Sequence, residues 1–310
     1  MNNRCCIYLI LSMLLIVLHL PASVLAALRF DAYDLEDGLS QQTITSIVQD
    51  RFGFIWFGTQ DGLNRFDGHS FKVFRHHRDD PHAIGGKLIK SLYIDKKGTL
   101  WAGTFVGGLS RFDYQSNSFV NFKHDPANPQ SIPRGSINAL LQVNDNQLWL
   151  GTLGQITIFN IAEQNFSTIK LPIDSVSEVG GEQISAMSVG PSGDIWIGTE
   201  GGGLYRYQLK TKQFVHYVFN ADNPDGISHN VIRAVLHDSN KTLWLGSDQG
   251  LSRYDAITDR FDHFVHDAND SRSLSDNKVT AVVEDRLNRI WVGTLYGLNR
   301  LDQRHRHFMR

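Results

Sequence analysis

Glu200, His229 and Asp248 are the side chains best suited to chemistry. Two carboxylates and an imidazole brought to one place can serve as general acid, general base and nucleophile, the groups that a polysaccharide lyase or glycosidase needs. A glycosidase also needs its two carboxyls about 5–10 Å apart in a deep polar pocket. Gln60, Phe105, Lys87, Arg134 and Lys278 add amide, aromatic and cationic groups, a mixture that fits a polar ligand held by hydrogen bonds and ring contacts. No spacing marks a catalytic set, so no catalytic residue is assigned and the chain is expected not to be an enzyme.

Other motifs point to structure. Gly107-Gly108 and Gly201-Gly202-Gly203 could cradle phosphate, but no helix pattern follows them, so they are expected to be turn glycines. Asp79-Asp80-Pro81, Asp125-Pro126-Ala127-Asn128, Asp222-Asn223-Pro224-Asp225 and Asp267-Ala268-Asn269-Asp270 offer oxygen ligands for calcium. None continues to the terminal Glu of a calcium loop, and turns closed by Asp and Asn side chains account for them more simply. His76, His77, His124, His263 and His266 show no zinc spacing and are expected at the rim. No metal or cofactor is expected. Arg65, Arg111, Arg206, Arg253 and Arg300 recur at one place, which favours a structural role, pairing with carboxylates.

The elements that position these residues are set by a repeat. Trp56, Trp101, Trp149, Trp196, Trp244 and Trp291 are the six tryptophans of the 310-residue chain, at steps of 45, 48, 47, 48 and 47. Each is followed two positions later by Gly and then by Thr or Ser, from Gly58-Thr59 to Gly293-Thr294. Each repeat reads as four strands. An apolar run such as Ile89–Ile94 comes first. A turn follows, opened by Asp50, Asp95, Asp238 or Asp285 in four repeats. Three residues before each Trp stands Gly53, Gly98, Asn146, Gly193, Lys241 or Asn288, mostly residues that tolerate positive φ. The Trp strand, a strand such as Gly62–Asp67 and an alternating aromatic strand such as Phe119–Phe122 complete the unit.

Four strands at this period predict an all-β fold, a β-propeller of four-stranded blades. The loops between second and third strands begin at Gln60, Phe105, Leu153, Glu200, Asp248 and Leu295. The links into each first strand end at Gln42, Lys87, Arg134, Gln183, His229 and Lys278. Both sets are expected on one face, around the mouth of the channel, so the ligand-binding candidates are Gln60, Phe105, Lys87, Arg134, Glu200, His229, Asp248 and Lys278.

Residues 1–26 read as a secretory signal: a basic start, the apolar run Cys5–Leu20, and Val24 and Ala26 at the positions a signal peptidase reads. Cleavage after Ala26 would leave residues 27–310 as one periplasmic domain without cysteine. The formal net charge is −2, and no basic surplus argues for nucleic acid.

The text Asp50-Arg51-Phe52-Gly53-Phe54-Ile55-Trp56-Phe57-Gly58-Thr59, then Asp61-Gly62-Leu63-Asn64-Arg65-Phe66-Asp67, resembles the repeat of the two-component regulator propeller family. It recurs from Asp285 to Asp302, and Asp37-Gly38-Leu39-Ser40 looks like the family's entry into its first blade. The third repeat departs most, with Gly154-Gln155-Ile156-Thr157-Ile158. The resemblance implies the extracytoplasmic sensor half of a membrane-bound histidine kinase or diguanylate cyclase. Neither output motif occurs in this sequence, so the output is expected to be missing or carried by another chain.

The expected function is therefore a ligand-sensing module of two-component or cyclic-di-GMP signalling, binding a polar ligand such as an oligosaccharide. A propeller lyase or glycosidase and a protein-binding scaffold are the alternatives. A spare strand, Leu28–Tyr33, precedes six complete repeats, while Arg306–Met309 already supplies the last repeat's fourth strand. That surplus predicts six blades belonging to a seven-bladed ring, with a closed six-bladed ring and a redundant end as the alternative.

Overall fold

The computed structural model describes residues 30–172, 182–302 and 306–310. The expected signal lies outside them. The chain divides into two compact units, residues 1–33 and 34–310. Of the first unit, Phe30–Tyr33 are described and form no strand, which corrects the spare strand predicted there. In the last sheet the fourth-strand place is already filled by His307–Met309.

The second unit holds six four-stranded sheets, each in chain order with antiparallel neighbours. Blade one is β1 (Ile44–Gln49), β2 (Ile55–Thr59), β3 (Gly62–Phe66) and β4 (Phe71–Phe74). Blade two is β5 (Ile89–Ile94), β6 (Leu100–Thr104), β7 (Leu109–Asp113) and β8 (Ser118–Phe122). Blade three is β9 (Ala139–Asn144), β10 (Gln147–Gly151), β11 (Gln155–Asn160) and β12 (Asn165–Lys170). Blade four is β13 (Ile184–Val189), β14 (Ile195–Thr199), β15 (Leu204–Gln208) and β16 (Gln213–Tyr217). Blade five is β17 (Ile232–His237), β18 (Leu243–Ser247), β19 (Gly250–Asp255) and β20 (Arg260–Phe264). Blade six is β21 (Val279–Glu284), β22 (Ile290–Thr294), β23 (Gly297–Asp302) and β24 (His307–Met309). The predicted propeller of six blades is the observed fold, and no helix occurs among the described residues.

The Asp and Trp of the repeat are partners. Asp50 Oδ1 accepts from the Phe52 and Phe54 amides across the turn, and Oδ2 accepts from Trp56 Nε1 at 2.8 Å. Asp95, Asp238 and Asp285 hold Trp101, Trp244 and Trp291 in the same way. Each carboxylate thus closes a tight turn and satisfies an indole that is buried or, at Trp291, partly buried, which explains the six-residue spacing. Repeat three has Val143 at this position, and its Trp149 Nε1 has no partner. There Asn144 pairs directly with Gln147, so the turn is shorter. Gly53, Gly98, Gly193, Lys241 and Asn288 have positive φ as the turn chemistry predicts, but Asn146 is not among such residues.

The recurring arginines lie opposite the tryptophans: Arg65, Arg111, Arg206, Arg253 and Arg300 pair with Trp56, Trp101, Trp196, Trp244 and Trp291. Carboxylate pairing holds for Arg206 with Asp194 and for Arg253 with Asp262. Arg65, Arg206 and Arg300 also lie over their tryptophan rings, 5.4–5.9 Å from the centroids.

Blades pack through apolar cores between neighbours. Trp56 and Leu63 of blade one meet Ile89, Leu92, Leu100 and Phe112 of blade two. Equivalent cores join blades two to three, three to four, four to five and five to six. At the free side of blade six the same positions are open. Leu298 is 43% exposed where Leu63, Leu109, Ile156, Leu204 and Leu251 are 0%. Ile47 of β1 is likewise exposed, whereas Leu92, Leu140, Met187 and Val282 at its repeat position are buried.

Candidate functional site

The two sets of connections share one face, as expected, because they are hydrogen-bonded to each other. Phe105, Glu200 and Leu295 donate their amides to the carbonyls of Leu88, Gln183 and Lys278 within a blade. Gly62, Gly203 and Gly250 donate to Lys87, Asn230 and Asn277 of the next blade's link. These connections carry the residues at which the repeats differ.

Across blades four to six the face gathers a charged cluster. Arg233 Nε and Nη2 donate to the two carboxyl oxygens of Asp248 at 2.5 and 3.1 Å. The Arg233 hydrogen bond holds the Asp248 carboxyl below its usual range, against a smaller opposing effect of burial. Lys278 and His229 reinforce it electrostatically, and Glu200 acts in turn on Arg233. The Arg233–Asp248 pair thus feels the charges of Glu200, His229 and Lys278, and Arg233 is the member that sequence reasoning missed. The signal lies in the register. Inner strands carry a bulge, and Thr45, Lys90, Ser185, Arg233 and Thr280 occupy the extra position. Thr45 and Ser185 spend that position on hydrogen bonds to the carbonyls of Ile89 and Ile232 in the next blade. Arg233 uses it to project onto the face.

Asp248 does not suit the role of a glycosidase's general acid, whereas the nucleophile or base of such an enzyme is ionised. A general acid needs a raised carboxyl pKa, whereas Asp248 is lowered and clamped in a bidentate pair. His229 Nδ1 accepts from the Val231 amide, which orients its ring locally.

The other candidates lie apart from this cluster. Lys87 shares Asp61 with Arg75 in exposed ion pairs. Gln60 and Phe105 are exposed loop tips, in company with Val106, Leu153, Leu295 and Tyr296. Arg134 lines a cavity of about 440 Å³ between the connections of blades two and three. Its other walls include His76, Gly107, Lys123, His124 and Pro133. A second cavity, about 280 Å³, opens at the opposite ends of blades four and five, beside Trp196, Arg206, His237 and Tyr254.

The acidic links form turns closed by their own side chains. Asp80, Asp125, Asn223 and Asp267 accept from the amides of His82, Ala127, Asp225 and Asn269. The rim histidines are latches: His76, His124 and His266 bond through Nδ1 to the carbonyls of Ile84, Ile132 and Leu274.

The repeat unit, its Asp–Trp turn and the loop-bearing face coincide with a known repeat. The family model described as two-component regulator propeller matches residues 38–61, 226–249 and 273–296. The chain carries two-component regulator propeller repeats. Over 55 residues such repeats are 47% identical to histidine kinase P4 of Formosa agariphila, a match covering 18% of this chain and 4% of the kinase. Among solved structures, the fold is similar to one described as the extracellular domain of a hybrid two-component system from B. thetaiotaomicron. The TM-score is 0.68 at 24% identity, over 87% of this chain and 41% of that one. It is also similar to virginiamycin B lyase from Staphylococcus aureus, with a TM-score of 0.63 at 12% identity, over 86% and 83% of the two chains. The chain therefore spans less than half of the two-component proteins it matches, and propellers of this shape include an enzyme.

Proposed function

We propose that this chain is an extracytoplasmic ligand-sensing module, in the periplasm, that acts through a histidine kinase or diguanylate cyclase output. The family repeats and the two-component relatives support that role. The observation that carries the ligand-binding part is the contrast between scaffold and face. The Asp–Trp turns and inter-blade cores repeat, while the connections vary and place the Arg233–Asp248 pair within the electrostatic reach of Glu200, His229 and Lys278. A rigid scaffold bearing irregular polar loops is how binding sites are built. The group offers hydroxyl acceptors and donors side by side, which suits a polar ligand such as an oligosaccharide. No catalytic role is assigned. The test is a thermal-shift and calorimetric panel of oligosaccharides on the full chain. Binding that weakens in Glu200→Gln and Lys278→Ala supports the site, and an unmoved melting temperature with every sugar rejects the carbohydrate reading.

A second reading, a protein-docking face, is favoured by one observation. Phe105, Val106, Leu153, Leu295 and Tyr296 leave apolar side chains exposed at loop tips. Binding lost in Phe105→Ser and Tyr296→Ser, but kept in Lys278→Ala, would favour it.

A further inference from the structure

The cavity between blades two and three carries two cations and no carboxylate in its lining. Other cations of the face are paired: Lys87 and Arg75 with Asp61, and Arg233 with Asp248. Lys123 and Arg134 line the cavity with no carboxylate beside them in its wall. Neither has an ion pair or side-chain hydrogen bond among the described residues.

The histidines of the wall have fixed tautomers. His76 and His124 each face a carbonyl through Nδ1, at 2.8 and 2.9 Å. A carbonyl only accepts, so Nδ1 carries the proton and a neutral ring leaves Nε2 as an acceptor. Val106, Ile132, Pro126 and Pro133 supply apolar wall, and the Gly85 and Gly107 backbones lie too close for any side chain between them. The link is held in place by Ser110, which accepts from the Gly85 amide, and by Asn121, which donates to Pro81 and Ala83. A volume of about 440 Å³ falls within the ordinary range of small-ligand pockets.

We propose that this cavity binds an acidic saccharide, a sugar bearing a carboxylate or sulfate group. Lys123 and Arg134 take the anionic group, the two Nε2 atoms accept from hydroxyls, and the prolines and Val106 meet the C–H face of the ring. This rests on the sensor reading above and adds a second binding place, apart from the Arg233–Asp248 pair, for one class of ligand.

The experiment is calorimetry on the full chain with trigalacturonate, a sulfated disaccharide, neutral galactotriose and sodium sulfate as probes. At least one acidic saccharide is expected to bind, more weakly as salt is raised. Lys123→Gln with Arg134→Gln should lower that affinity about tenfold or more, with an unchanged melting temperature, while Lys123→Arg retains it. Preferred binding of galactotriose, acidic binding unaffected by the double variant, or binding of sulfate alone overturns the proposal and leaves the sensor reading standing. Silence toward all three saccharides also overturns it. The sensor reading is decided separately, by the wider sugar panel and the Glu200 and Lys278 variants.

Discussion

Arg286 Nη2 donates to Gln49 Oε1 at 2.9 Å, joining blade six to blade one across 237 positions of sequence. The contact lies between exposed side chains, where a hydrogen bond contributes little beyond about 1 kcal/mol. The other five junctions are apolar cores. Equivalent leucines therefore differ in worth. Leu251→Ala, at a residue wholly buried between blades five and six, should cost about 3 kcal/mol in urea denaturation. Leu298→Ala, at the same repeat position, should cost less than about 1 kcal/mol. Equal losses would mean that this junction is packed in solution.

Asp238 satisfies both the Thr242 amide at 2.8 Å and Trp244 Nε1 at 2.9 Å. Asp238→Ala orphans two donors, one on a buried indole, and should destabilise by about 2–4 kcal/mol. The natural comparison is Trp149, whose indole already lacks a partner. Trp149→Phe should therefore cost clearly less than Trp244→Phe, each measured by chemical denaturation.

Much of this fold is legible in the sequence because one physical unit is written six times. The Asp and Trp spacing, the glycine turns and the aromatic fourth strands each mark a strand end. The face was legible too, since connections are where repeats stop agreeing. Arg233 was hidden because a bulge changes which way a residue points without changing its hydropathy. The blade two–three cavity was hidden because Gly85 and Gly107 approach each other only in space. The strand expected at Leu28–Tyr33 is absent over the described Phe30–Tyr33, and the last blade's fourth place is held by His307–Met309.

His237 carries a pH dependence. Burial pushes its imidazole down to about 4, against a weaker opposing pull from Asp238, and Ser188 Oγ lies 3.1 Å from its Nδ1. The unfolded chain thus binds a proton near its ordinary value of about 6.5, while the folded chain resists until about 4. Stability should rise with pH across that window and fall as pH drops through it. Its share is about 2 kcal/mol, reduced from the full shift because solvent reaches the ring. His237→Gln should flatten the melting-temperature profile between those limits; an unchanged slope would assign the dependence elsewhere.

Asp248 is also shifted downward, which for a carboxylate favours the charged form. Its folded value is lowered chiefly by the Arg233 hydrogen bond, so the stability it contributes is present above the unfolded value and lost as pH falls through the folded one. Arg233→Met removes that bond and should return the Asp248 carboxyl toward its ordinary range, visible as a shifted carboxyl titration by NMR. An unmoved titration would show that Lys278 and His229, not Arg233, hold the carboxylate ionised.

Gly107 and Gly53 separate two demands on glycine. A Cβ on Gly107 would lie 2.2 Å from the Gly85 carbonyl oxygen and 2.6 Å from the Gly86 nitrogen, both backbone atoms that cannot step aside alone. Gly53, at φ +89°, has open space around it and only a conformational requirement. Gly53→Ala should cost about 1 kcal/mol through its positive φ. Gly107→Ala must push the Ile84–Gly86 link from its loop, should cost about 2–3 kcal/mol, and reshapes the cavity floor. The decisive comparison is between stability and binding of the acidic saccharide probe. Gly53→Ala should leave that binding intact, and Gly107→Ala should weaken it even where the chain remains folded. Probe binding untouched in a folded Gly107→Ala chain would mean that the ligand does not rest on this floor.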